Sequence, residues 1–371
     1  MSAATISSIR IYRQWQPFRD GTYRCSGGRS AEGFDSSIVE ITSRDGLLGY
    51  GEMAPLGSFY DPAFAEGARA AMRELAPHLL GADATGIEAL NRRMDLLLNG
   101  HPYAKAAIDM ALWDLRGKHC GLSLATMSGG AEGATLALYR SIAQQAPDAM
   151  AARAQKYIVE GYRRLQVKVG LDVNDDIARL QAVRAAVPAD TVLFCDANAS
   201  WGTADTRRFL MATRDLDYTL EQPCASYDEN LAIRRVCDRP LVLDETIDSV
   251  DVLLRAMADG LVDGITIKLA RVGGLTKAKL VRDIAIARNL KVTIEDTGGA
   301  EIDTAAYCGL MLSTPEALRQ HTVDFHNWVT VSNAKADFRI ADGAMTIPVG
   351  PGLGIEVDVN TFGDPVFACQ L

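Results

Sequence analysis

Six short apolar runs in the second half of the chain each end on a charged residue, and they recur with the spacing of one structural unit. The runs cover 163–168, 191–196, 217–221, 240–244, 264–268 and 291–295 and end on Lys168, Asp196, Glu221, Asp244, Lys268 and Glu295. Successive ends lie 28, 25, 23, 24 and 27 residues apart. One short strand and one amphipathic helix fill an interval of about 25 residues, so the rhythm predicts parallel βα units closing into a barrel. Active sites of such barrels lie at the carboxyl ends of the strands, and the six side chains are therefore expected to share one pocket.

A barrel takes roughly 250 residues, so a chain of 371 residues predicts a second unit. From Ile6 to Glu52 the pattern is strand-like, with Asp45-Gly46 as a tight hairpin before Leu48-Gly49-Tyr50-Gly51-Glu52. From Phe64 to Gly121 the apolar spacing turns helical: Ala65, Ala68, Met72, Leu75 and Leu79 share one face, and Ala106, Met110, Trp113 and Leu115 mark another helix. The βα alternation begins near Thr135. The expected organisation is an α+β capping domain with lid loops over 1–130, the barrel over 131–325, and a segment over 326–371 that returns to the capping domain.

Apolar residues make up 48% and charged residues 23%, enough for a large core. A net charge of -9 without a basic patch argues against nucleic acid as a partner. The seven cysteines are scattered without a CxxC pair, which suits a reduced, cytoplasmic compartment, and no apolar run is long enough to span a membrane.

Asp196, Glu221 and Asp244 end three consecutive strands and so stand side by side on one arc. Any one of them could cap a helix or pair with a lysine. Three together repel one another unless a cation bridges them, and a hard divalent ion such as Mg²⁺ accepts oxygen ligands while leaving room for water and substrate. Lys168 and Lys268 flank that arc, four strand positions apart. Desolvation lowers a lysine's pKa toward the range in which it accepts a proton, so the two are expected to face a substrate from opposite sides as an acid/base pair. The bland alternative is that each lysine only balances a carboxylate, in a metal-binding barrel without catalysis.

The motifs Gln166-Val167-Lys168-Val169-Gly170, Asp196-Ala197-Asn198, Glu221-Gln222-Pro223, Asp244-Glu245 and Lys268-Leu269-Ala270-Arg271-Val272-Gly273-Gly274 resemble the enolase superfamily, in its muconate-lactonizing subgroup. The stretch from His101 to Asp114 is similar to that family's capping-domain helix, so the likeness covers nearly the whole chain. It implies a modified TIM barrel, (β/α)7β, with an N-terminal α+β capping domain. It also implies Mg²⁺ held by Asp196, Glu221 and Asp244, α-proton abstraction from a small carboxylate substrate by a lysine through an enediolate, and a homo-oligomer. One position departs: the subgroup's Lys-x-Lys reads Gln166-x-Lys168 here, and an amide cannot depress Lys168 as an ammonium would. The five histidines fall in helices or loops and are expected to be structural.

Gln166 at that position is similar to relatives acting on proline derivatives. The main expectation is racemisation or epimerisation of a proline-like substrate, and the alternative is dehydration of cis-3-hydroxy-L-proline by β-elimination. Expected substrate contacts are Gln166, Phe59 and Tyr60 of a lid loop, and Asp296, Thr297 and Gly298 after the seventh strand. The stretch 296–301 offers no aromatic face, which counts against a quaternary ammonium substrate. Glu295 is left without a role.

Overall fold

The computed structural model describes residues 4–371. Strands Ile6–Pro17, Gly33–Ser43 and Leu48–Met53 form an antiparallel sheet whose fourth strand, Phe367–Gln370, comes from the carboxyl terminus and pairs with the first. In the first strand Ile9 and Ile11 are buried with Arg10 exposed between them; the alternation changes phase at Tyr12, beyond which Gln14 and Gln16 are buried and Arg13 and Trp15 face solvent. Gly46 takes the positive φ of +87° that the tight turn demands. Helix Pro102–Cys120 lies directly on strand Leu48–Met53. The two glycines of Leu-Gly-Tyr-Gly-Glu make that approach possible, since a Cβ would sit 2.2 Å from the Ala111 carbonyl oxygen at Gly49 and 1.9 Å from that of Ala107 at Gly51. Helix Ala65–Leu75 buries Ala68, Met72 and Leu75.

Seven parallel strands follow one another around the second sheet in chain order: Arg140–Ile142, Arg164–Lys168, Val192–Asp196, Thr219–Glu221, Leu241–Leu243, Gly264–Lys268 and Lys291–Glu295. The extended chain at 319–322 bridges the two edges, Arg319 beside Val292 and Thr322 beside Leu138, and so stands where an eighth strand closes a barrel. This is the (β/α)7β arrangement, with the capping sheet and helices set against it. Register holds the strand ends level: Lys168 lies opposite Asp196, Asp196 opposite Glu221, and Lys268 opposite Glu295.

The first parallel strand is Arg140–Ile142, and the Thr135–Ala137 strand just before it lies outside the barrel, paired with Ala344–Thr346, which in turn pairs with Arg339–Ala341. The C-terminal segment meets the capping domain at several points: Phe367–Gln370 joins its sheet, Val329 bridges Phe18, and the Thr361 carbonyl accepts from Gln14. Among the described residues no helix is long and apolar enough to cross a membrane.

Candidate active site

Lys168, Asp196, Asp244, Lys268 and Glu295 line one buried chamber, and Glu221 lies behind it, joined to Asp196 through Gln166. Asp196, Glu221 and Asp244 are 1%, 5% and 2% exposed. Lys168 Nζ lies 2.5 Å from Asp196 Oδ2 and donates to Asn198 Oδ1 at 3.0 Å. Lys268 Nζ lies 2.6 Å from Glu295 Oε1 and 3.6 Å from Asp244 Oδ2. Gln166 Nε2 donates to both Asp196 Oδ2 and Glu221 Oε2, at 3.2 and 3.1 Å. Arg271 donates to Asp244 Oδ1 at 2.5 Å and also pairs with Asp61 of the lid at 2.9 Å. The Tyr60 hydroxyl donates to Asp244 Oδ2 at 2.9 Å, and the Tyr139 hydroxyl to Glu295 Oε2 at 3.0 Å.

Around both lysines these carboxylates act against burial. Burial is the largest single influence on Lys168 and would lower its pKa, but Asp196 with Tyr23 and Glu221 together raise it well above the ordinary value. For Lys268, Asp244 and Glu295 likewise outweigh burial and raise the pKa. Both are ammonium groups here, because neighbouring carboxylates dominate desolvation. Asp244 is held below the usual carboxylate range: burial opposes this, but Arg271 and then Lys268 prevail. Glu221 is pushed well above it by burial, then by Asp196 and Asp244.

Among the described residues, no three acidic, histidine or cysteine side chains form a bare cluster ready to hold a metal ion, because Lys168, Arg271 and Tyr60 already occupy oxygens of Asp196 and Asp244. The donor chemistry nevertheless fits a divalent cation. Among the described residues Glu221 has no basic group within ion-pair distance, and its oxygens accept only from Gln166 and from the Thr266 hydroxyl at 2.9 Å. A buried carboxylate raised by two neighbouring carboxylates and lacking its own counter-charge is the setting that such an ion relieves.

The remaining predicted contacts divide. Asp296 and Thr297 line the chamber with Gln166 and Tyr60. Asp296 accepts from the backbone N–H groups of Ala270 and Thr297, yet burial outweighs these bonds and lifts its pKa to about 6. Gly298 does not line the chamber: a Cβ there would meet the Phe34 ring of the capping domain at 2.3 Å, so the glycine gives clearance between domains. Phe59 is also outside it, lying beneath the Arg29 guanidinium at 5.9 Å. The stretch 296–301 carries no aromatic residue, and the aromatic faces of the chamber come from other segments. Tyr23, Tyr60, Tyr139, Phe325 and Trp328 all border the chamber, supplied by the lids, the first barrel strand's approach and the chain after the barrel. His321 is buried below, its ring 4.1 Å from that of Phe194 and 4.8 Å from that of Tyr139, and burial holds its pKa well down.

The chamber encloses only about 40 Å³, room for roughly three waters at 10–15 Å³ each. Binding of an organic substrate therefore requires the side chains that bridge it to part. A larger cavity of about 520 Å³ lies beside Trp113, Arg116, Lys279 and Asp283 and contains none of the strand-end groups.

Residues 30–129 match the family model of the mandelate racemase/muconate lactonizing enzyme N-terminal domain, and residues 149–361 match the enolase C-terminal domain-like model. The chain belongs to the mandelate racemase/muconate lactonizing enzyme family. Within that family, part of the enolase superfamily, it is 45% identical to a cis-3-hydroxy-L-proline dehydratase from Roseibium aggregatum, over 97% of this chain and 98% of the relative. It is 30% identical to a hydrophobic dipeptide epimerase from Enterococcus faecalis over 88% of each chain. A member of the enolase superfamily from Roseovarius nubinhibens, solved in complex with magnesium, superposes with a TM-score of 0.93 at 34% identity, covering 99% of both chains. Homologues of this family member thus include a dehydratase and epimerases or racemases, and magnesium is bound within the family.

Proposed function

We propose that this enzyme dehydrates cis-3-hydroxy-L-proline, and the observation that carries the reading is the unequal anchoring of its two opposed lysines. In that substrate the hydroxyl and the carboxylate share one ring face, so the α-hydrogen and the leaving hydroxyl lie on opposite faces. Elimination then needs a base on one side and an acid on the other, which Lys168 and Lys268 supply from opposite arms of the sheet. The 45% identity to a dehydratase over nearly the full length of both chains supports the same substrate class.

Asp196, Glu221 and Asp244 would hold a divalent ion such as Mg²⁺. Bound there, such an ion supplies positive charge to the substrate carboxylate as the α-carbon gives up its proton. Among the described residues the one carboxylate within ion-pair distance of Lys168 is Asp196, a member of that ligand set. Lys268 keeps a second carboxylate, Glu295, outside it. With Asp196 engaged in that set, Lys168 would lose its charge partner, release one proton to water and, as a free amine, take the α-hydrogen as a proton, while Lys268 stays the ammonium. As the C3–O bond breaks, Lys268 gives its proton to the departing oxygen, so that water leaves and the electron pair of the C2–H bond forms the C2=C3 double bond. The enamine tautomerises to pyrroline-2-carboxylate. Exchange with water returns both lysines to their starting states.

Epimerisation is the second reading, since opposed lysines also serve removal and return of a proton on opposite faces. It needs the two to exchange roles freely, and Glu295 biases them against that. The variants Lys168→Ala and Lys268→Ala, followed by NMR in D₂O, test the assignment. Lys268→Ala should exchange the α-hydrogen for deuterium with little elimination, whereas Lys168→Ala should do neither; the reverse pattern would sink it.

A further inference from the structure

Two cavities adjoin the chamber. One of about 360 Å³ shares Thr297 with it, and a groove of about 330 Å³ lies on the far side of Tyr23 and Trp328, which among the described residues are the two that border both chamber and groove. Their rings meet edge on, with centroids 5.2 Å apart at 60°. Each is held from behind. The Tyr23 hydroxyl is 3.1 Å from the Ser141 hydroxyl, and the Trp328 ring lies 5.1 Å from that of Phe325. The two segments are strapped together by Arg19, whose backbone N–H donates to the Trp328 carbonyl at 2.7 Å while its guanidinium donates to the carbonyls of Asn327 and Val329.

Beyond the rings the groove is cationic, although the chain as a whole is acidic. Arg19, Arg140, Arg153 and Lys156 line it, with Asp20 and Glu160 as its acidic members. Arg140 pairs with Asp324 at 3.0 Å and Lys156 with Glu160 at 3.8 Å. Among the described residues neither Arg19 nor Arg153 has a carboxylate within ion-pair distance; Arg19 uses Nε and one terminal nitrogen on backbone carbonyls, and Arg153, 5.9 Å over the Tyr157 ring, is the guanidinium left for an anion.

We propose that the Tyr23 and Trp328 rings set substrate length, walling off a groove whose chemistry suits the carboxylate of an N-acyl arm. This rests on the proposed function: a free pyrrolidine ends at the wall, while an N-succinyl amino acid or an acidic dipeptide would have to pass through it. The wall is then the specificity determinant that makes a family site built for α-proton removal refuse extended substrates. Opening it joins a small chamber to a cationic recess without touching either lysine or any of the three carboxylates.

The test uses N-succinyl-L-alanine as probe with the wild type, Trp328→Ala, Tyr23→Ala and Trp328→Phe. Binding followed by calorimetry needs no turnover, and α-hydrogen exchange in D₂O reports productive placement. The wild type and Trp328→Phe should bind the probe at least tenfold more weakly than Trp328→Ala or Tyr23→Ala, and adding Arg153→Ala to Trp328→Ala should abolish the gain. Equal binding by all four proteins overturns the wall, as does a wild type that already takes the probe. If the wild type fails on cis-3-hydroxy-L-proline while the binding pattern holds, the wall stands and the substrate assignment falls.

Discussion

Replacing Glu295 by glutamine keeps the shape of the side chain and one acceptor for the Tyr139 hydroxyl, and removes the one charge that separates Lys268 from Lys168. Lys268 Nζ lies 2.6 Å from the carboxylate, a short charge-assisted contact in a buried site. A hydrogen bond to a charged group contributes roughly 1.5–3 kcal/mol. At about 1.36 kcal/mol per unit, the Lys268 pKa should fall by about 1–2 units. The sign follows from its role as acid: Lys268 must carry its proton, activity is lost as pH rises through its pKa, and lowering that pKa moves the basic limb of the rate profile to lower pH. Near neutral pH Lys268 keeps its proton and elimination should change little, whereas at alkaline pH, above the lowered pKa, it should fall about tenfold to a hundredfold relative to the parent. Exchange of the α-hydrogen depends on Lys168 and should fall much less. Steady-state elimination and deuterium exchange measured on the same samples separate the two. If both decline by one factor and the basic limb stays in place, Glu295 is only structural and the division of labour between the lysines is wrong.

Tyr139→Phe removes the hydroxyl that donates to Glu295 at 3.0 Å, a loss of about 1 kcal/mol; elimination should drop about fivefold with exchange little changed, and a loss as deep as that of Glu295→Gln would mean the phenol itself does chemistry. Asp244→Asn should weaken Mg²⁺ binding on the order of tenfold or more, and an unaltered calorimetric titration contradicts the ligand assignment. Gly51→Ala forces a Cβ to within 1.9 Å of the Ala107 carbonyl oxygen; overpacking should cost about 1–3 kcal/mol, read as a lower denaturant midpoint, and an unchanged midpoint means the helix can lift from the strand freely.

The barrel and its charged rim were legible because both are carried by local rules. Each strand end is fixed by apolar alternation and chain spacing, and register then brings Lys168, Asp196 and Glu221 level without long-range information. The eighth strand was not legible, since 319–322 makes isolated bridges rather than a ladder. Nor was the state of the lysines: burial could be inferred, but the decisive quantity is how many carboxylates stand beside each one, which only the closed barrel determines. Gly298 was misread for a similar reason. A glycine near a pocket can serve the ligand or give room to a ring from elsewhere, and Phe34 arrives from a strand far away in sequence. Tyr23, Tyr139 and Trp328 lie in segments with no periodicity, so nothing in the sequence alone marked them as the aromatic border of the chamber.

The most direct test of the central claim is an NMR time course of the purified protein with Mg²⁺ and cis-3-hydroxy-L-proline in D₂O, run beside the trans isomer, in which the hydroxyl and the α-hydrogen share a face. The expected result is loss of water to give pyrroline-2-carboxylate from the cis isomer, with the trans isomer processed far more slowly. Inversion of the α-carbon without loss of water, or equal turnover of both isomers, would contradict elimination by two opposed and unequal lysines.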